Sequence, residues 1–381
     1  MRIVHVYRDC LRPGGVPHQT RRLVEAQARL GHEILTLSLQ SDGSTVPPGP
    51  VGTLSHVQVS NTLQGVRALR PALERFRPEV AHVTSLLIPA HQAWVGTLRR
   101  ARVPYVVSPH GLLNPIGTNV RFGGKVALRH RIWLKKSFSR LVDLPLLRGA
   151  AGLHAQSAFE RELLAGLGLE NIVTVPLGVD DDWVDGNAAG TREQHTPTTF
   201  SYLGRIDLFH KGLDLVIAGF RELARRGLDK EARLIIAGSD VGDSRERALR
   251  AIREAELANA EIRGPAWGSD KQRLWEESDY FLGIFRFAGM ARATAEALGH
   301  GIPVIASRES NWGDWVRRHD TGYCVELDER SVADLLCRIV VNERAGYAAK
   351  SRNAFSFAVS LSWDRVAAEM AAAYEGLLAR R

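Results

Sequence analysis

Cysteine is scarce in this 381-residue sequence. The three present, Cys10, Cys324 and Cys337, lie far apart and never in C-x-x-C spacing. That pattern indicates neither a disulfide framework nor a zinc site, and a reducing compartment is expected. No apolar run approaches the ~18 residues that a membrane-spanning helix needs. The opening MRIVHVYRD alternates like a buried strand and carries no charged-then-apolar leader, so the cytoplasm is the expected location. Neither G-x-G-x-x-G nor G-x-x-x-x-G-K-[ST] occurs, which argues against a dinucleotide oxidoreductase and a P-loop nucleotidase. The apolar (45%) and charged (24%) fractions match an ordinary globular chain and exclude disorder and fibre. The length suits two domains of roughly 150 residues or more.

Lysine is also sparse, with seven in the chain, yet basic residues exceed acidic ones by eight. The excess is concentrated: residues 99–150 hold eleven basic side chains against one acid, Asp143. An anionic partner follows, whether phosphate, nucleic acid or an acidic membrane surface. On a helix expected from about Gly124 to Val142, Lys125, Arg129, Lys136 and Arg140 share one face, and Leu134, Phe138 and Leu141 line a neighbouring stripe. Peripheral contact with anionic membrane through 121–142, an acidic soluble acceptor, and a solvated helix over a core all fit that stripe. No aromatic interleaving or recognised module accompanies the charge, so no nucleic-acid partner is expected.

Short apolar runs alternate with segments of helical period along the whole chain, the pattern of parallel sheets wrapped by crossover helices. The fold class expected is α/β, as two tandem doubly wound parallel-sheet (Rossmann-like) domains facing a cleft. In the first half, strands are expected at Arg2–Tyr7, Ile34–Leu39, Val80–Thr84, Tyr105–Ser108, Gly152–Ala155 and Ile172–Val175. A helix at about Pro17–Leu30 points Leu23, Val24 and Leu30 inward and stops at Gly31. The Gly-, Asp- and Thr-rich stretch after Val175 reads as a linker. Alternation restarts at Phe200 and continues to a strand at Pro303–Ala306. The domains are expected at 1–180 and 181–361, with a helix at 362–381 that packs back on the first.

Three segments carry chemistry. Gly14 and Gly15 precede a helix, where close backbone approach suits a phosphate or sugar and where a plain structural turn is equally reasonable. Arg205 ends a strand and Lys211 precedes a helix, so two cations converge at the carboxyl edge of a sheet, where a diphosphate would be held; a solvated surface pair is the competing reading. The run YFLGIFRFAGMARATAEALGHGIPVIAS reads as strand, glycine turn at Gly289, helix bearing Glu296, glycine break and strand. Its helix N-terminus supplies N–H groups, and Glu296 accepts from a ribose, unless the small residues around it simply pack the helix on its sheet.

These segments, with G-x-x-x-x-x-x-K-G at Gly204–Gly212 and E-A-L-G-H-G-I-P-V-I-A-S at Glu296–Ser307, resemble glycosyltransferase family 4, retaining enzymes of the GT-B fold. S-P-H-G at Ser108–Gly111, Q-S-x-x-E at Gln156–Glu160 and P-L-G-V-D at Pro176–Asp180 agree, in family order. The resemblance implies a nucleotide-diphospho-sugar donor on the second domain and a glycan, lipid-linked or small-molecule acceptor on the first. It implies that Arg205 and Lys211 bind the diphosphate and stabilise its departure. Glu296 would hold the ribose, and Gly289, Met290 and Ala291 the sugar and phosphate. Gly14 and Gly15 would border phosphate and acceptor, and His110 would lie beside the transferred sugar. The base would lie near Arg263–Trp267, with Trp267 either close to it or buried structurally.

One position departs from the family. The Glu-x7-Glu pattern expects a glutamate eight residues before Glu296, and Ala288 stands there. An introduced inactivating substitution, favoured by the intact motif on both sides, and a natural divergence are both open. No cofactor or metal is expected, since the two cations replace a divalent ion, and Asp180, Asp181 and Asp182 read as solvated loop acids. A nucleotide-sugar epimerase or hydrolase of the same fold, or a catalytically degenerate sugar-nucleotide-binding protein, are the alternatives. Base, sugar, acceptor and oligomeric state are not readable.

Overall fold

A computed structural model of the chain describes residues 1–7, 14–39, 54–59, 63–86, 89–113, 137–184, 192–240 and 242–380. Among these, the chain divides between Gly178 and Val179, and Leu361–Arg381 returns to the first unit.

The first unit is built on a seven-stranded parallel sheet: β1 Arg2–Val6, β2 Glu33–Leu39, β3 Leu54–Val59, β4 Val80–Thr84, β5 Tyr105–Ser108, β6 Gly152–Ala155 and β7 Ile172–Thr174, in the order β3-β2-β1-β4-β5-β6-β7. Ile3, Val4, His5 and Val6 are all buried, as a strand covered on both faces requires. β3 was not expected, because its LSHVQV text interleaves polar residues at the sheet edge. The helix Gly15–Arg29 buries Leu23 and Val24. Leu30, expected inward, is exposed, because it lies past the last turn as the cap and the apolar stripe does not extend beyond the helix end.

The second unit holds a six-stranded parallel sheet: β8 Thr198–Leu203, β9 Ala232–Ala237, β10 Ala260–Arg263, β11 Tyr280–Gly283, β12 Val304–Ala306 and β13 Gly322–Cys324, ordered β10-β9-β8-β11-β12-β13. β13 has three residues and left no periodic signal. Of the stretch expected to be a linker, residues 179–184 and 192–199 belong to this unit and are bonded to it. Trp183 is buried with its carbonyl so close to Gly299 that a side chain there would collide. Arg192 donates to the carbonyls of Trp275 (2.8 Å) and Ser278 (2.6 Å), and the His195 amide donates to buried Asp279 at 2.9 Å. Arg192 thus satisfies carbonyls at the end of the helix Gly268–Glu277 and the His195 amide satisfies Asp279 just before β11, which composition could not distinguish from solvation. Asp180, read as solvated, is buried, whereas Asp181 and Asp182 are exposed.

The helix Trp363–Leu378 closes the first unit. The Trp363 ring covers Gly178 and Leu377 covers Gly152, both without room for a β-carbon. The Tyr374 hydroxyl meets His82 Nδ1 at 2.5 Å in the buried interior, and Arg29 pairs with Asp364 at 2.6 Å at the surface. Leaving a buried imidazole nitrogen without its donor costs about 1–3 kcal/mol, and an exposed ion pair contributes under about 1 kcal/mol. Urea unfolding should therefore show Tyr374→Phe destabilised by about 1–3 kcal/mol and Arg29→Ala by less than about 1 kcal/mol. Equal effects would mean that the helix is held from its surface side.

Candidate active site

In the second sheet β8 and β11 are neighbours at the point where strand order reverses, so the loops leaving their carboxyl ends part to form a crevice. Both segments expected to bind a donor lie on those loops. After β8 comes Arg205, exposed, and then Lys211, half-buried with Nζ 4.2 Å from the centre of the Phe285 ring. Burial pushes the Lys211 pKa down to about 8, and the neighbouring Arg205 charge adds to this while Asp207 opposes it. Arg205 and Lys211 are thus brought together, and a solvated surface pair does not describe Lys211.

The two loops are interlocked. Gly212, at φ 63°, lies so tightly under the Ile284 carbonyl that no side chain fits. His210 Nε2 donates to the Phe287 carbonyl at 2.7 Å, with the two rings stacked 4.0 Å apart. Arg286 pairs with both oxygens of Asp214 at 2.7 and 2.8 Å and donates to the Phe209 carbonyl at 2.6 Å. The carbonyls of Ala288 and Ala291 are turned into the protein, accepting from Asn311 Nδ2 (2.6 Å) and the Trp312 ring N–H (3.1 Å). Met290 is buried, and Gly289 is half-buried between it and Ala288. The helix Arg292–Gly299 follows, and its first-turn amides have no intrahelical partner.

Glu296 sits just over one turn into that helix and is 6% exposed. Its carboxylate forms an ion pair with Lys271 of the helix Gly268–Glu277. Arg263 is committed elsewhere: Glu277 and Glu261 hold its guanidinium at 2.7 and 2.5 Å, which raises its pKa further, with Arg233 on the same carboxylates. Its guanidinium is thus part of a half-exposed ion-pair network. Trp267 is 75% exposed, which overturns the buried structural reading.

The candidates of the first unit lie at the start of the helix Gly15–Arg29 and just after β5. Gly14 stands at the N-cap of the helix Gly15–Arg29, and a β-carbon added to Gly15 would meet nothing within 4 Å, so packing alone does not demand glycine at 15. His110 follows β5 at φ 54°, half-buried beside His154. Behind it runs a chain of hydrogen bonds whose direction is set by one carbonyl. His154 Nε2 must donate to the Val175 carbonyl (2.8 Å), so His154 Nδ1 accepts from Ser108 Oγ (2.6 Å). Ser108 Oγ in turn accepts from His82 Nε2 (2.5 Å), and His82 Nδ1 accepts from Tyr374. The rings are neutral in this arrangement. Burial lowers the pKa of His5 and His154 to about 4, that of His110 to about 3, and that of His82 well below the ordinary range.

Lys125, Arg129, Leu134 and Lys136 of the basic stripe lie outside the described residues, as does Cys10; Arg140 and Leu141 are exposed. Among the described residues no group of His, Cys, Asp and Glu is placed to hold a metal ion, and no helix is long and apolar enough to cross a membrane. Lys271 and His210 were not singled out by the sequence, and Glu160 entered only as the last residue of the Q-S-x-x-E motif. The one sequence signal for Lys271 was the rarity of lysine.

Two units, each on a parallel sheet with flanking helices, form the architecture of the GT-B fold class. Residues 14–178 match the Glycosyl transferase 4-like domain and residues 197–342 match Glycosyl transferases group 1. The chain belongs to glycosyltransferase family 4. It is 28% identical to the GDP-mannose-dependent alpha-(1-6)-phosphatidylinositol dimannoside mannosyltransferase of Mycobacterium tuberculosis, covering 95% of this chain and 92% of that protein. Among solved structures, sucrose-phosphate synthase from Thermosynechococcus elongatus superposes with a TM-score of 0.73 at 17% identity, covering 100% of each chain. HepE from Anabaena, in complex with UDP and glucose, gives 0.69 at 13%, covering 99% of this chain and 100% of that one.

The lowered histidine pKa values have a definite sign. Between about 4 and 6.5 the unfolded chain takes up protons that buried His5 and His154 refuse. Stability is therefore full above pH 6.5 and falls as pH drops toward 4, by about 1.4 kcal/mol per pH unit for each histidine. Urea unfolding across this window should show that slope, and His5→Leu should reduce it by one such increment; an unaltered slope would exclude His5 as a contributor.

Proposed function

We propose that this glycosyltransferase moves a sugar, with retention, from a nucleotide-diphospho-sugar to an acceptor hydroxyl, using GDP-mannose as donor and a lipid-linked glycan as acceptor. The observation that carries the donor reading is the Arg205–Lys211 pair at the second sheet's switch point, with one cation drawn out of water beside the other. A diphosphate bound there relieves the repulsion between them, and as the glycosidic bond breaks the pair stabilises the charge that accumulates on the leaving phosphate. In this role they replace a divalent metal. The helix start after Ala291 adds N–H groups, and Glu296 takes the ribose hydroxyls. Trp267 lies nearest the base, and Gly14, Gly15 and His110 face the acceptor and the transferred sugar. The choice of mannose and of a lipid-linked glycan follows the name of the mycobacterial relative. The basic stretch 121–142 suits an acceptor held at an anionic membrane.

Ala288 slows the reaction, because the family's glutamate at that position would stabilise positive charge developing at the anomeric carbon. Nucleotide release from a panel of sugar nucleotides with a mixed acceptor pool tests the whole reading. GDP-mannose should give the fastest release, and Ala288→Glu should raise it at least ~10-fold. Lys211→Met should lower kcat/KM by at least ~100-fold. The wild-type kcat/KM should decline above a pH of about 8 as Lys211 loses its proton, and Lys211→Arg should abolish that decline. Full activity in Lys211→Met would refute the diphosphate role. Co-sedimentation with anionic vesicles at low salt, lost at high salt, is expected of the membrane reading, and no binding at low salt would end it.

A further inference from the structure

Glu160 is a fully buried carboxylate in the first turn of the helix Ala158–Gly166. Ser157 caps that helix by accepting from the Glu160 amide at 3.0 Å, and the sequence S-x-x-E would ordinarily complete a capping box by turning the glutamate back on the Ser157 amide. It does not do so here. One oxygen accepts from the Gln156 amide at 2.8 Å, and the other accepts from the Gly111 amide at 2.6 Å, on a turn 49 residues away in sequence. A carboxylate held out of water needs a specific return for its desolvation, which raises the Glu160 pKa. Helix capping does not supply that return, because Ser157 already does the capping.

The turn it grips is Ser108–Gly111. His110 has φ 54° and Gly111 φ 77°, two consecutive left-handed residues, and the first of them is not glycine. Such a conformation persists only where surrounding groups over-determine it. Ser108 Oγ is fixed between His82 and His154 on one side, and the Gly111 amide is fixed by Glu160 on the other. His110 sits between these two anchors.

We propose that Glu160 is a positioning residue for His110, holding the Ser108–Gly111 turn so that the imidazole stays in place beside the transferred sugar. This rests on the reading of His110 given above. The charge on Glu160 is directed at amides and not at substrate, so its loss displaces His110 without removing any group from the reacting atoms.

Glu160→Gln tests this, since its amide nitrogen must face one of the two N–H groups and forfeit that bond. Hydrogen exchange, which needs no substrate, should be at least ~10-fold faster in the peptide spanning 109–113 while β5 and β6 keep their protection. Unchanged exchange there would overturn the proposal. Turnover of GDP-mannose completes a double-mutant cycle: His110→Ala and Glu160→Gln should each lower kcat about 10-fold with donor KM little moved, and together should be no worse than His110→Ala alone. Additive losses would show that Glu160 acts elsewhere and would also overturn it. A harmless His110→Ala would instead remove the underlying reading of His110, a result told apart by the single variant. If Glu160→Gln does not fold, Glu160→Asp, too short to span both amides, should show the same two effects in smaller measure; wild-type exchange and turnover in a folded Glu160→Asp would overturn the proposal.

Discussion

The electrostatic state of Lys211 ties the second unit together. An ammonium group drawn over the Phe285 ring beside Arg205 loses part of its hydration and gains a like-charged neighbour, which is why its pKa falls to about 8. Holding it there takes a rigid frame. Gly212 pressed beneath the Ile284 carbonyl, His210 stacked on Phe287 and Arg286 clamped on Asp214 fix the β8 and β11 loops to one another. The loop bearing Ala288, Gly289, Met290 and Ala291 inherits its position from the same frame, through Asn311 and Trp312. Two like charges are thereby held close by contacts within the unit itself.

The first unit solves a different problem, the burial of several histidines. Neutral imidazoles each present one donor and one acceptor, and a chain of them needs a fixed end to decide its direction. The Val175 carbonyl is that end, and Ser108, His82 and Tyr374 follow from it. The terminal helix is therefore attached by a directional bond inside the unit as well as by the packing of Trp363 and Leu377. Ser108, in the middle of the chain, begins the turn that carries His110.

Much of this was legible from residues alone. The alternating opening Arg2–Tyr7 and unbroken apolar runs such as Leu234–Ala237 announced buried parallel strands, and glycine-terminated helical periods placed the crossovers. The order of the motifs from Gly14 to Ser307 identified the family. The binding of 179–184 and 192–199 to the second unit was not legible, because polar and glycine-rich text is the same whether it is solvated or bonded to helix-end carbonyls. The pairing of Lys271 with Glu296 and the bond from the Gly111 amide to Glu160 were not legible for a related reason: each joins groups distant in sequence, and spacing records only neighbours along the chain.

By itself the sequence determined the α/β class, the two-unit division and the residues available for chemistry, because strand and helix periods, caps and motif spacing are local properties. Tertiary structure alone decided which charges meet. It placed Lys271 on Glu296, withdrew Arg263 to Glu261 and Glu277, left Trp267 in solvent and turned Glu160 from its own helix cap to the Gly111 amide. Electrostatic and hydrogen-bond partners are chosen by distance and desolvation in three dimensions, and neither is written in the order of residues.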